Sequence, residues 1–163
     1  MYQKILVPLD GSEFAECALE HVKAIARGCS VPEVIVFRVV RPIPSELADV
    51  QMAGIGMPTE WVSKTEKENQ TEAQKYVSKV AKKLNSEGIT AKGVTVKADP
   101  QTRDPAKQIL DYVSKNQVDL IIMTTHGQSG VSRWWFGTVA DRIVRHSSAP
   151  VLVVAPQGCR TSQ

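Results

Sequence analysis

Apolar positions along this chain come in short β-branched runs separated by longer stretches with helical spacing. Ile5-Leu6-Val7 is the first run, stopped by Pro8 and turned by Asp10-Gly11-Ser12. Phe14, Ala15, Ala18, Leu19, Val22, Ile25 and Ala26 then mark one face of a single helix that Gly28 closes. Residues 34–40 predict a second strand, and residues 41–60, punctuated by Pro and Gly, read as a loop insertion. A helix over 61–85 follows, with Ala73, Val77, Val80, Ala81 and Leu84 inward and Gly88 ending it. Residues 90–98 form the third strand. Asp104-Pro105 is a helix start, with Asp at the cap and Pro in the first turn, ahead of Ala106, Ile109, Leu110 and Val113. Residues 120–125 give the fourth strand, Val139, Ala140, Ile143 and Val144 a last helix face, and residues 151–155 a closing strand.

Strand and helix alternating in this way imply an α/β fold, a parallel sheet covered on both faces. The strands read as continuous apolar runs, as doubly covered strands do. At 163 residues the chain is one three-layer domain over 1–156, with 157–163 as a flexible tail. Charged residues at 23% and a net charge of +3, without a Lys/Arg run, give no reason to expect nucleic acid. Cys17, Cys29 and Cys159 are too scattered for a disulfide framework or a zinc site and read as free thiols of a reducing compartment. With no signal peptide or membrane-length apolar run, the expected location is the cytoplasm.

Ligands of open parallel sheets bind beyond the carboxyl ends of the strands. Two such ends are chemically distinctive here. After the first strand comes Pro8-Leu9-Asp10-Gly11-Ser12; after the fourth comes Thr124-Thr125-His126-Gly127-Gln128-Ser129-Gly130, leading to Gly137-Thr138. The second is either an anion cradle, in which glycines admit a phosphate to backbone amides at a helix start, or a plain turn with Ser132 as helix cap. Asp10 either accepts from a ligand amine or hydroxyl or caps the helix after it. His126 either touches a phosphate or bonds to its own loop. Trp134, Trp135 and Phe136 read as packing or interface residues. The P-loop and GxGxxG signatures are missing, and no catalytic triad or metal-ligand spacing is visible.

Along nearly its whole length the sequence resembles the universal stress protein family. The likeness lies in residues 4–12, in His126-Gly127-Gln128-Ser129-Gly130-Val131-Ser132-Arg133, in Phe136-Gly137-Thr138-Val139-Ala140, and in residues 149–154. The ATP-binding branch carries Gly, two residues, Gly, nine residues, then Gly with Ser or Thr. Gly127 and Gly137-Thr138 match, while Thr124 stands at the first glycine, where a side chain either crowds the ligand or offers it a hydroxyl. Arg38 also stands where many members have His.

The resemblance implies a five-stranded sheet of order 3-2-1-4-5, with the site between the first and fourth strands. It places Pro8, Leu9, Asp10 and Val39 around the adenosine end, and Met123, Thr124, His126 and Gly127 along the ribose and phosphates. Gly137, Thr138 and Val139 hold the phosphate tail. It also implies ATP with Mg²⁺ or Mn²⁺, the ion held by phosphates and water rather than by a carboxylate cage. A homodimer through the last strand, Val151 to Val154, is implied as well, in keeping with an unprotected apolar edge. The expected function is a stress-response or signalling module with at most slow turnover; the alternative is an interaction-only dimer of the same family, with a true enzyme third.

Overall fold

The computed structural model describes residues 1–42, 59–125 and 137–155, with side chains of the middle stretch described from residue 61. Its elements in order are β1 (Lys4–Pro8), α1 (Glu13–Glu16), α2 (Ala18–Gly28), β2 (Glu33–Val40), α3 (Thr59–Ser86), β3 (Ala91–Lys97), α4 (Pro105–Lys115), β4 (Leu120–Thr124), α5 (Thr138–His146) and β5 (Val151–Val154). The strands form one sheet of order β3-β2-β1-β4-β5, every pairing parallel, as expected.

Successive strand side chains point to opposite faces. Here that parity divides the core in two. Ile5, Val7, Val34, Val36, Leu120 and Ile122 face α1, α2 and α3. Leu6, Ile35, Phe37, Ile121 and Met123 face α4 and α5. Both faces are buried because the crossovers before β3 pack on one side and those after it on the other.

The helix signals act largely as written in the sequence. Asp104 caps α4 by accepting from the Ala106 N–H at 3.0 Å, with Pro105 beginning the helix. Gly88 sits past the end of α3 at φ +80. The inward face of α3 is Ala73, Val77, Val80, Ala81 and Leu84, all buried.

Several expectations need correcting. The first helix is not continuous: the Cys17 N–H reaches back three residues to the Phe14 carbonyl (3.3 Å), a tightening that divides α1 from α2. Only Ala15 of α1 is buried, and Phe14, a turn of about 100° away, is 48% exposed. Gly28 ends α2 without a left-handed backbone; that role falls to Ser30 at φ 51. On α5 the buried stripe runs through Ala140 and Ile143, leaving Val144 exposed. β3 is not continuously apolar, since Gly93 and Thr95 turn toward α3. Cys17 is disulfide-bonded, leaving Cys29 as the free thiol among the described residues. The 41–60 insertion falls mostly outside the described residues, as does the tail; Thr59 and Glu60 already belong to α3.

The layers approach each other closely at Gly93. A Cβ built there would lie 2.8 Å from the Val77 backbone carbon and 2.9 Å from its carbonyl oxygen. Gly93→Ala is therefore expected to cost roughly 1–3 kcal/mol, because helix backbone has no rotamer through which to yield. At Gly28 an added Cβ meets nothing within 4 Å, and Gly28→Ala should be neutral or stabilise by about 0.4–1 kcal/mol. Urea midpoints of both variants check the pair; equal midpoints would contradict this packing.

Candidate functional site

β1 and β4 lie side by side, Ile5 against Leu120 and Leu6 against Ile121. Beyond their carboxyl ends the chain turns to α1 on one face and to α5 on the other. The divergence leaves a cleft of about 600 Å³, within the usual range for ligand pockets. Every predicted site residue that is described lines it: Pro8, Leu9 and Asp10 after β1, Val39 near the end of β2, Met123 and Thr124 at the end of β4, and Gly137, Thr138 and Val139 at the start of α5. His126 and Gly127, with the Ser132 cap and the aromatic run 134–136, lie outside the described residues.

Asp10 is not itself the helix cap. Its Oδ1 accepts from the Ser12 N–H at 2.9 Å and the Ser12 hydroxyl at 2.6 Å, while the Ser12 Oγ accepts from the Ala15 N–H and caps α1. Asp10 thus fixes the capping residue and still lines the cleft. Gly11 completes the turn at φ +89, a left-handed backbone that glycine adopts without strain.

At the far end, the Gly137 N–H is used by the Thr125 carbonyl at 2.9 Å, which ties the start of α5 to the end of β4. Among the described residues no side chain caps α5. Thr138 and Val139, which line the cleft, belong to the first turn, where a helix leaves N–H groups without intrahelical partners and presents the positive end of its dipole. A Cβ at Gly137 would stand 3.0 Å from the Thr125 oxygen, so the glycine keeps this join tight.

Thr124 departs from the glycine pattern, and the pleat shows with what effect. Met123 belongs to the face of α4 and α5, and Ile122 to the opposite face. Thr124 follows the parity of Ile122, is 7% exposed, and directs its Cβ toward the α1 side, away from Val139.

Sequence reading passed over the contribution of α3. Asn69, Glu72 and Ala73 form a wall of the cleft, and Pro105 and Ile109 of α4 form part of its floor beside buried Phe37. These contacts join elements distant in sequence, and no local pattern announces them. Arg38 and Arg41 also line the cleft. The Arg38 guanidinium lies over the Tyr76 ring, 5.0 Å from its centroid, and the Tyr76 hydroxyl donates to Glu16 Oε1 at 2.8 Å. Burial, and then Glu16, push the Tyr76 hydroxyl well above the usual phenol range, so it stays protonated. Across the cleft floor Asp104 also pairs with Arg142, joining α4 to α5.

Among the described residues no group of three or more His, Cys, Asp or Glu is placed to hold a metal ion, and no helix is long and apolar enough to cross a membrane.

Comparison with known proteins agrees with this architecture. The family model described as the universal stress protein family matches residues 1–155. Universal stress protein MJ0531 of Methanocaldococcus jannaschii is 33% identical over 158 residues, covering 94% of this chain and 82% of that protein. Universal stress protein MJ0577 of the same organism is 32% identical over 160 residues, covering 94% and 95%. The solved structure of MJ0577 superposes with a TM-score of 0.76 at 30% identity, over 100% of this chain and 99% of that one. A universal stress protein from Archaeoglobus fulgidus, solved in complex with dAMP, shares the fold at TM-score 0.62 and 19% identity, over 93% and 97%. The chain belongs to the universal stress protein family.

Proposed function

We propose that this protein is a nucleotide-binding stress or signalling module that takes ATP in the cleft between β1 and β4. The observation that carries the reading is the start of α5, which no side chain of the described residues caps and which opens into a cleft whose other end presents Asp10. Phosphates suit the first: fixed backbone donors and a helix dipole favour negative charge without ordering a long side chain. A nucleoside suits the second, where Val39 and Met123 offer apolar contact and Asp10 an acceptor. Adenine-nucleotide binding by the Archaeoglobus relative supports the choice of ligand. Thr124 follows the parity of the α1 side, away from the phosphate end at Gly137, Thr138 and Val139. Mg²⁺ or Mn²⁺ would enter with the nucleotide, held by phosphates and water, and its role there is to neutralise phosphate charge.

The open edge of β5 supports a second part of the proposal, a homodimer. Among the described residues β5 pairs only with β4, and Val151, Leu152 and Val153 remain half-buried. A strand edge of this kind offers a row of unpaired backbone groups to another copy of the chain.

Thermal unfolding with and without Mg-ATP, after removal of any co-purified nucleotide, tests the ligand. At 100 times the dissociation constant the added stability is about 2.7 kcal/mol, or roughly 5–10 °C for a domain of this size. Gly137→Val should lose at least tenfold in affinity while its circular dichroism stays native, since branching at Cβ presses on the Thr125 carbonyl and fills the phosphate end. No shift in the parent protein, or full affinity in the variant, would refute the assignment.

The dimer is tested separately by sedimentation equilibrium. The parent should show twice the chain mass, and Leu152→Lys should yield the monomer with nucleotide binding retained. A monomeric parent would remove the dimer and leave the ligand reading intact.

A further inference from the structure

Arg38 occupies the cleft in a way that neither fold nor packing requires. It follows the parity of Val34 and Val36, so a wholly apolar side chain at this position would continue the same core face. Instead a half-buried guanidinium lies over Tyr76 and against the first βα turn, its nitrogens and carbon 3.1–3.3 Å from where a Cβ on Gly11 would stand. The ring below it is itself held by Glu16. Among the described residues no acceptor hydrogen-bonds to Arg38, and no carboxylate forms an ion pair with it. Asp10 and Glu72 line the same cleft without doing so. The fork is thus oriented in advance at a ligand-sized opening, with none of its donors committed to an acceptor among the described residues.

The class of ligand follows from the chemistry of the fork and from its position. A guanidinium matches the oxygens of a phosphate in a bidentate way, and the match is strongest where the side chain is already ordered. In open parallel α/β sheets the end of the second strand, beside the first βα turn, is where the ribose of a bound nucleotide is read. In the dinucleotide-binding form of such sheets a carboxylate about 20 residues past the first turn takes a ribose hydroxyl, and an arginine nearby accommodates a ribose phosphate. This chain has Arg38 on β2 facing that turn, with Asp10 on the turn itself. The charge of Asp10 is partly offset by the two Ser12 donors to its Oδ1, which eases the approach of a second anion.

We propose that Arg38 makes the cleft selective for adenine nucleotides carrying a phosphate on the ribose, in addition to the phosphate held at Gly137 and Thr138. This rests on the reading that the nucleoside end of the ligand lies at Asp10. It assigns Arg38 as a specificity-determining residue and gives Tyr76 and Glu16 the task of positioning it.

The test compares isomers that differ only in where the second phosphate sits. ADP carries both phosphates at the 5′ end; adenosine 3′,5′-bisphosphate and adenosine 2′,5′-bisphosphate carry one on the ribose. Titration calorimetry on the intact protein should show one or both ribose-phosphorylated isomers binding at least tenfold more tightly than ADP. Arg38→Gln should erase that preference and leave ADP affinity within about threefold, which also shows the variant is folded. Arg38→Lys, which keeps the charge but loses the fork, should retain only part of the preference. If ADP binds and neither isomer binds better, or if Arg38→Gln keeps the preference, this inference falls and the nucleotide reading stands. If none of the three binds, both fall.

Discussion

The cleft exists because β1 and β4 are hydrogen-bonded neighbours whose chains leave in opposite directions, one toward α1 and the other toward α5. In a parallel sheet each crossover is right-handed, so the face a helix covers is decided by which way the strand order runs. From β1 the order runs outward through β2 to β3, and α2 and α3 lie on one face. From β3 the chain returns to the other side of β1, and α4 and α5 lie on the opposite face. At the junction the covering helices part to opposite faces of the sheet. Backbone groups beyond the strand ends there need partners. One is found within the protein, where Thr125 takes the N–H of Gly137.

The same pleat that divides the core also decides what each cleft residue can do. Phe37 and Val39 share a parity, and Phe37 packs on Tyr112 with ring centroids 4.7 Å apart, giving that lobe an apolar floor. Arg38, between them, is forced to the α3 side and finds Tyr76. Met123 and Thr124 divide in the same manner. A motif written as consecutive letters is therefore read by the fold as two half-motifs on opposite faces. A departure at Thr124 and one at Arg38 concern the α1–α3 side, while Val39, Met123 and Val139 concern the other.

This is also why the sequence was legible in some places and not in others. Strand positions were plain because parity and β-branching act locally: β2 and β4 each appeared within a residue of their observed ends. The Asp104-Pro105 start was plain for the same reason. Val144 and Phe14 misled because periodicity tells that a helix has an apolar face but not how wide a neighbour covers it; α5 lies near the sheet edge and α1 is a single turn. β3 lies within a residue of its expected ends, but the reason for its glycine was hidden. Its small residue at Gly93 looks like a weak strand former, yet the closeness of α3 demands it, a constraint held by Val77 elsewhere in the chain. The cleft was legible at the strand ends and hidden along α3, because Asn69 and Glu72 reach it only through tertiary packing.

The two ends of the cleft present positive potential by different physical means, and the difference bears on what can bind. At α5 the donors are backbone amides, already ordered by the helix, with Gly137 in place of a side chain. Their geometry is fixed, so they reward one placement of a phosphate and little else. At Arg38 the donor is a long side chain, which ordinarily gives up conformational freedom to bind. Stacking over Tyr76, with that ring tied to Glu16, removes most of that freedom before any ligand arrives. The cation is thus ordered without being neutralised, a combination that an ordinary ion pair would not give, since a carboxylate close enough to order the fork would also occupy it. An aromatic face supports the guanidinium without accepting hydrogen bonds along its edge. A side chain held by its π-face is ordered and still able to receive an anion.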